Sequence, residues 1–269
     1  MRILNQYFPG GKKAALTMSY DDGPAADRRL VEIFDRYGIR GTFHLNAFPF
    51  LENNDRVKAD EVPSLYKNHE VSCHLFHHPF PEACPDSVLV SEVWENRKAI
   101  EAACGYTVRG MSYPYGDYGT RSIGILRGCG MNYARTTKAT GAFRLPEDFM
   151  LWHPTAHHSR GFDICELYDK LKASYARYLR HDVLYVWGHS YEFDNDNNWD
   201  LIERFCDKAA GNDDIWYATN IEIFDYETAS RRLEVGADGN TVFNPSAISV
   251  WVGVDGDPVE IKPGENRLK

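Results

Sequence analysis

The sequence predicts an α/β protein, a parallel sheet wrapped by helices as a barrel or as a doubly wound sheet. Three observations lead there. Strand and helix patterns alternate about seven times along the chain, which is the rhythm of parallel-sheet units. Val183 to Trp187 is a continuous apolar run, as expected of a strand buried on both faces. Chemically capable groups follow the strands: Asp21 and Asp22, His74 and His78, Tyr115, Arg135, His157 and His158, and His189. In a barrel, functional residues gather at the carboxyl ends of strands. No GxGxxG follows the first strand, so nothing supports a dinucleotide site.

In chain order, Lys13 to Tyr20 reads as the first strand. Ala25 to Tyr37 reads as a helix, with Leu30, Phe34 and Tyr37 on one stripe and Gly38 as its stop. Ile39 to Leu45 is a second strand. Residues 46–68 form a polar loop with a short helical turn around Pro63 to Tyr66. Glu70 to Cys73 is a third strand. Asp86 or Ser87 can cap a helix reaching Cys104, which Gly105 ends. Tyr106 to Tyr113 is a strand closed by Pro114-Tyr115-Gly116. Then come a helix near Arg121 to Arg127, strands at Met131 to Arg135 and Phe149 to Thr155, and a helix over Asp163 to Arg180. The Val183 strand is followed by a helix at Trp199 to Ala210, a strand at Ile215 to Thr219 and a helix at Ile221 to Ala229. Beyond Ser230 the pattern changes. Ile248 to Val254, Asp255-Gly256 and Val259 to Lys262 read as a hairpin within a small β appendage over 231–269.

The 269 residues are 43% hydrophobic and 26% charged, a globular balance with length for one barrel-sized domain or two smaller ones. A net charge of −9 argues against nucleic acid or an anionic membrane as partner. Six scattered cysteines without a CxxC pair read as buried thiols. With no apolar leader and no run of membrane-spanning length, the expected compartment is the cytoplasm.

Asp21-Asp22 places two carboxylates where a strand ends and the chain turns. Like charges that close require a cation or a proton nearby. The alternative is an ordinary Asp-Asp-Gly-Pro surface turn. His74 and His78 are four apart, and on a helical turn both imidazoles would face one cation. His77 competes for that place. With one carboxylate the pair makes a two-His, one-carboxylate set with open positions, the arrangement of a catalytic metal. Zinc is the expected ion, and cobalt, nickel or iron would also fit. Hydrolysis then needs a base and an acid. Asp21 can be the base if Asp22 is the ligand, and His189, ending a buried strand, can be the acid. The Tyr115 backbone N–H, behind Pro114, can help hold an oxyanion. His157 and His158 either line the site or sit in a solvated loop.

These residues resemble the polysaccharide deacetylases, the NodB-homology carbohydrate esterases. Ser19-Tyr20-Asp21-Asp22-Gly23-Pro24 is similar to that family's Thr-Phe-Asp-Asp-Gly-Pro motif, and His74-Leu-Phe-His-His78 to its His-Ser/Thr-x-x-His. Ser112-Tyr113-Pro114-Tyr115-Gly116 resembles Arg-x-Pro-Tyr/Phe-Gly, and Trp187-Gly188-His189 resembles Leu-x-His. Gly41 to Asn46 is similar to the family's second strand. The resemblance covers roughly residues 13–225. It implies a distorted (β/α)7 barrel over residues 1–230; by the residue pattern, 231–269 is expected to pack on it as a C-terminal β-hairpin extension. It implies Asp21 as base, Asp22, His74 and His78 as metal ligands, His189 as acid, and acetylated sugars or glycans as substrates.

Three departures stand out. Leu75 replaces the Ser/Thr that braces the metal loop. Ser112 replaces the Arg that orients the base; Arg109 should face the wrong way, and Arg135 is the better substitute by position. The carboxylate that pairs with the acidic His is missing from its usual place, and Glu192 or Asp194 is the candidate replacement. The expected activity is metal-dependent removal of acetyl groups. The rival readings are hydrolysis of a small non-sugar amide on the same barrel, and a binding or sensor protein that no longer turns over.

Overall fold

Strand β2 (Ala14–Asp21) is buried at all eight positions, because it is the axis on which the sheet is built. One of its edges pairs in parallel with β8 (Asp182–Gly188) along almost its whole length. Its other edge is shared: β9 (Ile215–Tyr217) pairs with the first half and β3 (Gly41–Leu45) with the second. Outward from β3 lie β4 (Glu70–Cys73), β5 (Gly110–Ser112) and β6 (Tyr133–Arg135); beyond β8 lies β7 (Ala156–His157). Every pairing in this sheet is parallel. The two outer edges meet through one segment. Trp152 bridges Arg135 on β6, and five residues later His157 pairs with Trp187 on β8. The result is the expected distorted barrel, closed by a single short rung.

The computed structural model describes residues 2–51 and 55–268, so residues 52–54 of the expected 46–68 loop lie outside the described residues. Helices α1 (Asp27–Tyr37), α2 (Val62–Leu65), α3 (Asp86–Cys104), α4 (Thr120–Gly128), α5 (Ile164–Arg177), α6 (Tyr191–Asn195), α7 (Trp199–Ala209) and α8 (Asn220–Arg231) accompany the strands. Gly38 ends α1 in the left-handed conformation, as its position predicts. Asp163 caps α5 through Cys165 N and Glu166 N, and Thr219 with Glu222 forms a capping box on α8.

Several expected elements are shorter or differ. The strand over Tyr106 to Tyr113 shrinks to Gly110–Ser112, because Val108 N donates to the Glu101 carboxylate instead of to a ladder partner. The strand over Phe149 to Thr155 becomes a 3-10 turn and a bridge. Asp148 caps Met150 N, and Pro154 has no N–H to offer a neighbour. The α3 helix is not capped by Asp86 or Ser87. It starts at Asp86 after Pro85, and the Asp86 carboxylate pairs with Arg121 at 2.5 Å. Helix α5 stops at Arg177 rather than Arg180, because Tyr178 turns extended. Helix α6 was not anticipated.

The C-terminal residues form two small sheets. In one, the N-terminal β1 (Ile3–Leu4) pairs with β12 (Val250–Val254), which forms the expected hairpin with β13 (Asp257–Ile261). In the other, β10 (Glu234–Val235), β11 (Thr241–Asn244) and β14 (Gly264–Arg267) pair antiparallel. Val250 joins a buried cluster with Phe8, Tyr185 and Tyr226, and the Tyr226 hydroxyl bonds Trp251 N at 2.9 Å. Among the described residues no helix is long and apolar enough to cross a membrane.

Candidate metal centre and active site

The loops at the carboxyl ends of the strands enclose a cleft of about 910 Å³. Asp22 enters it from the end of β2, held by its own N–H to His44 O at 2.9 Å. His74 follows β4 directly, and Asn46, which follows β3, donates to His74 O at 2.8 Å. The two metal-candidate histidines do not sit on a helical turn, as their spacing suggested. Leu75 (φ 60°) and His78 (φ 62°) are left-handed, and this folds the loop back until the two Nε2 atoms lie 3.1 Å apart. Leu75 is fully buried, so packing rather than a hydroxyl anchors this loop.

His74 Nε2 and His78 Nε2 lie 3.6 and 3.7 Å from Asp22 Oδ1. Three donors bound to one ion at zinc distances are separated by about 3.4 Å, so these spacings fit one cation. The protonation pattern fits too. His74 Nδ1 lies 3.0 Å from the Ser112 carbonyl, which can only accept, so Nδ1 carries the proton and Nε2 offers its lone pair. Burial, then His74, pushes His78 down to about 4, keeping it in the neutral form that a cation requires. His77 turns away. Its Nδ1 lies 2.7 Å from Glu92 Oε1, which removes it from the ligand set.

Asp21 lies behind this triad, buried, with Oδ2 3.8 Å from His74 Nε2. Arg135, fully buried at the end of β6, bonds Asp21 Oδ2 and lies over the Trp187 ring at 4.3 Å. Ser112 Oγ donates to Asp21 Oδ1 at 3.0 Å and accepts from His74 Nδ1 at 2.7 Å. Burial raises the Asp21 carboxyl, but Arg135 and then His74, His44 and His189 outweigh it and hold the group well below the usual carboxylate range. Arg109 points elsewhere, paired with Asp225.

His189 faces the triad from the end of β8, its Nε2 4.0 Å from Asp22 Oδ2. Glu192 of α6 lies behind it, with Oε2 3.5 Å from His189 Nδ1 and bonded to His189 N at 3.1 Å. Burial lowers His189, yet Glu192, Asp21 and Asp22 more than offset it, and the imidazole sits above its ordinary value. Asp194 instead accepts from Trp199 Nε1. His157 and His158 are both buried rather than solvated. His157 lines the cleft, and His158 stacks between Tyr20 and Phe193 and against Gly188, where a Cβ would lie 2.0 Å from its Nδ1.

Tyr115 (φ 58°) projects over the mouth, stacked on Phe80 with centroids 3.9 Å apart and edge-on to His78. Gly116 next to it is obligatory: φ is 68°, and a Cβ would meet Thr137 Oγ1 at 2.1 Å. Phe48, Tyr115, Phe162 and Tyr191 line the cleft with partly exposed rings. Sequence reasoning missed the brace supplied by Asn46 and the bridge made by Ser112. A strand-end hydroxyl or amide carries no local signal of its partner.

A polysaccharide deacetylase family model matches residues 9–134. Chitin deacetylase 1 of Cryptococcus neoformans var. grubii is 25% identical over 161 residues, 59% of this chain and 33% of that protein. Over its first half the chain is similar to the polysaccharide deacetylases. It spans about a third of the length of the curated relative it matches. A Mycobacterium smegmatis protein of the polysaccharide deacetylase type superposes with TM-score 0.62 at 15% identity, over 85% of this chain and 94% of the other. Puue allantoinase gives 0.62 at 13% identity, over 81% and 91%. At such identities these two structures report on the deacetylase fold alone.

Proposed function

We propose that this chain is a metal-dependent hydrolase that removes acetyl groups, above all N-acetyl, from a sugar or polysaccharide. One observation carries the reading: a two-His, one-carboxylate set stands between a buried carboxylate and a raised imidazole in a single cleft. Asp22, His74 and His78 would hold the ion, with zinc the best match to two nitrogens and one oxygen. Such an ion, when bound, lowers the pKa of water and polarises an acyl oxygen.

The chain's own residues supply the rest. Asp21, whose carboxyl Arg135 and then His74, His44 and His189 hold low against burial, accepts the proton of the attacking water. His189, whose pKa Glu192 raises against burial, returns a proton to the departing amine, without which an amine leaves poorly. The Tyr115 backbone N–H helps hold the oxyanion. The ring faces of Phe48, Tyr115, Phe162 and Tyr191 offer flat apolar surface, which suits the C–H faces of a sugar. No nucleic acid or membrane partner is proposed.

The test is acetate release from chitooligosaccharides and acetyl-xylan, with added zinc or cobalt and a chelator control. Acetate that depends on the metal supports the reading. A metal-loaded protein that releases none from any acetylated substrate overturns it.

A further inference from the structure

Behind His189 lies a second convergence of donors, of which the reaction above uses only the Glu192–His189 contact. Glu192 Oε2 is 3.0 Å from His157 Nε2, 3.5 Å from His189 Nδ1 and 3.6 Å from His158 Nε2. The same oxygen already accepts the His189 backbone N–H, and Oε1 is taken by Arg160 Nη2 at 2.6 Å. A carboxylate oxygen has two lone pairs. One is therefore left for three imidazole nitrogens.

None of those three nitrogens makes a well-aligned hydrogen bond, and all three are buried. His157 and His158 are only 4% and 1% exposed. Buried polar atoms are normally satisfied. Buried nitrogens left without an aligned partner, two of them clustered with a carboxylate oxygen, are what a cation site supplies. As in the Asp22, His74 and His78 set, the ligand atoms of His157, His189 and Glu192 all lie within 4.8 Å of one another. The cleft gives access, since His157 and His189 both line it.

We propose that His157, His189 and Glu192 form a second divalent-cation site, and that filling it inhibits the enzyme. His157 Nε2, His189 Nδ1 and Glu192 Oε2 would be the ligands. The donor set of two imidazoles and one carboxylate selects zinc, cobalt or nickel over magnesium or calcium. Binding needs the lone pairs of His189 Nδ1 and His157 Nε2. The proton on His189 Nδ1 passes to solvent. His157 Nδ1 accepts from Ser159 N at 3.3 Å, so the His157 proton must move from Nε2 to Nδ1, facing Ser159 Oγ at 3.5 Å, with the Ser159 N–H bond given up. The His189 ring left behind is neutral, with its remaining proton on Nε2, and is a weaker acid than imidazolium. The inhibitory part rests on the reading of His189 as the acid. The binding part does not.

The experiment counts zinc bound per chain by equilibrium dialysis near neutral pH, as free zinc is raised. The native protein should take up two equivalents. Glu192→Gln and His157→Gln should each lose the second equivalent and keep the first, whereas His78→Ala should weaken the first and keep the second. Cobalt loading identifies the donors, because a thiolate ligand would add an intense near-ultraviolet band. Saturation of the native protein at one equivalent, a second equivalent that survives both variants, or a thiolate band on the second equivalent would each overturn the site. These outcomes are read without substrate, so they stand apart from any failure of acetate release. Acetate release that rises and then falls with zinc in the native protein, but does not fall in His157→Gln, would support the inhibitory role. A fall that is equal in both would refute it.

Discussion

The two halves of the cleft are built differently. On the Asp21 side, carboxylate, guanidinium and hydroxyl all come from strand ends and are sealed from water: Asp21 is 2% exposed, and Arg135 and Ser112 are 0%. On the His189 side, the imidazole follows its strand by one residue, its partner Glu192 sits on a five-residue helix, and Arg160 extends into solvent with 72% of its side chain exposed. A sealed ion pair is fixed by its own desolvation, because neither member has an alternative partner. A half-open one is held by loop geometry and can be retuned. The contrast implies that damage on the first side shows as lost stability and lost turnover together, and damage on the second as a shifted pH profile.

The largest effect should come from Arg135→Met, which strands a buried carboxylate. Losing one member of such a pair costs about 3–5 kcal/mol, measurable by urea unfolding, and turnover should fall far more than metal affinity. Asp21→Asn added to it should restore much of the stability and none of the turnover. Because the native Asp21 carboxyl is depressed, its stabilising contribution is complete above its ordinary value of 3.8 and fades as pH falls below that. The single variant should therefore lose that acid dependence. Native-like stability and turnover in Arg135→Met would erase the contrast.

Glu192→Gln should come next, lowering kcat by roughly tenfold or more, in the range of a general-acid contribution. Glu192 raises His189, so its loss lowers that pKa. The alkaline limb of the kcat profile should then move to lower pH, with unfolding free energy changing less than in Arg135→Met. An unmoved limb would mean that Glu192 braces the loop without tuning the acid.

The smallest effect concerns a buried carboxylate that holds the residue after His189. Asp27, fully buried at the start of α1, accepts from Ser190 Oγ at 2.5 Å and Tyr66 Oη at 2.7 Å. Burial, against these bonds, pushes its carboxyl up to about 7. A raised carboxyl pKa costs stability as pH climbs from 3.8 toward 7, and the cost is constant above that. Asp27→Asn, which keeps the shape and can keep both bonds, should gain stability at pH above 7 relative to its standing near pH 4. A flat difference across that range would show that Asp27 titrates normally.

Much of this was legible in the sequence, and the residues show why the rest was not. Asp21, Asp22, His74, His78 and His189 announced themselves because chemically capable side chains at strand ends are few. Arg135 was found by the same positional logic. The His74–His78 loop was misread as a helical turn because spacing alone does not distinguish a helix from two left-handed residues. His157 and His158 stayed ambiguous because burial of a loop depends on what folds over it, here Tyr20, Phe193 and Glu192. The choice between Glu192 and Asp194 turned on which face of α6 meets β8, and no local pattern of five residues records that.

The single rung that closes the ring carries one more lesson. Trp152 serves β6 beside Arg135, and Ala156 and His157 serve β8 beside Trp187, with only three residues between the two duties. An insertion or deletion of one residue there leaves the chain able to reach either neighbour but not both in frame. The joint with the least redundancy is thus also where the keeper of the Asp21 carboxylate and a flank of His189 are hung. A slip of one residue at Pro154 would unseat both at once.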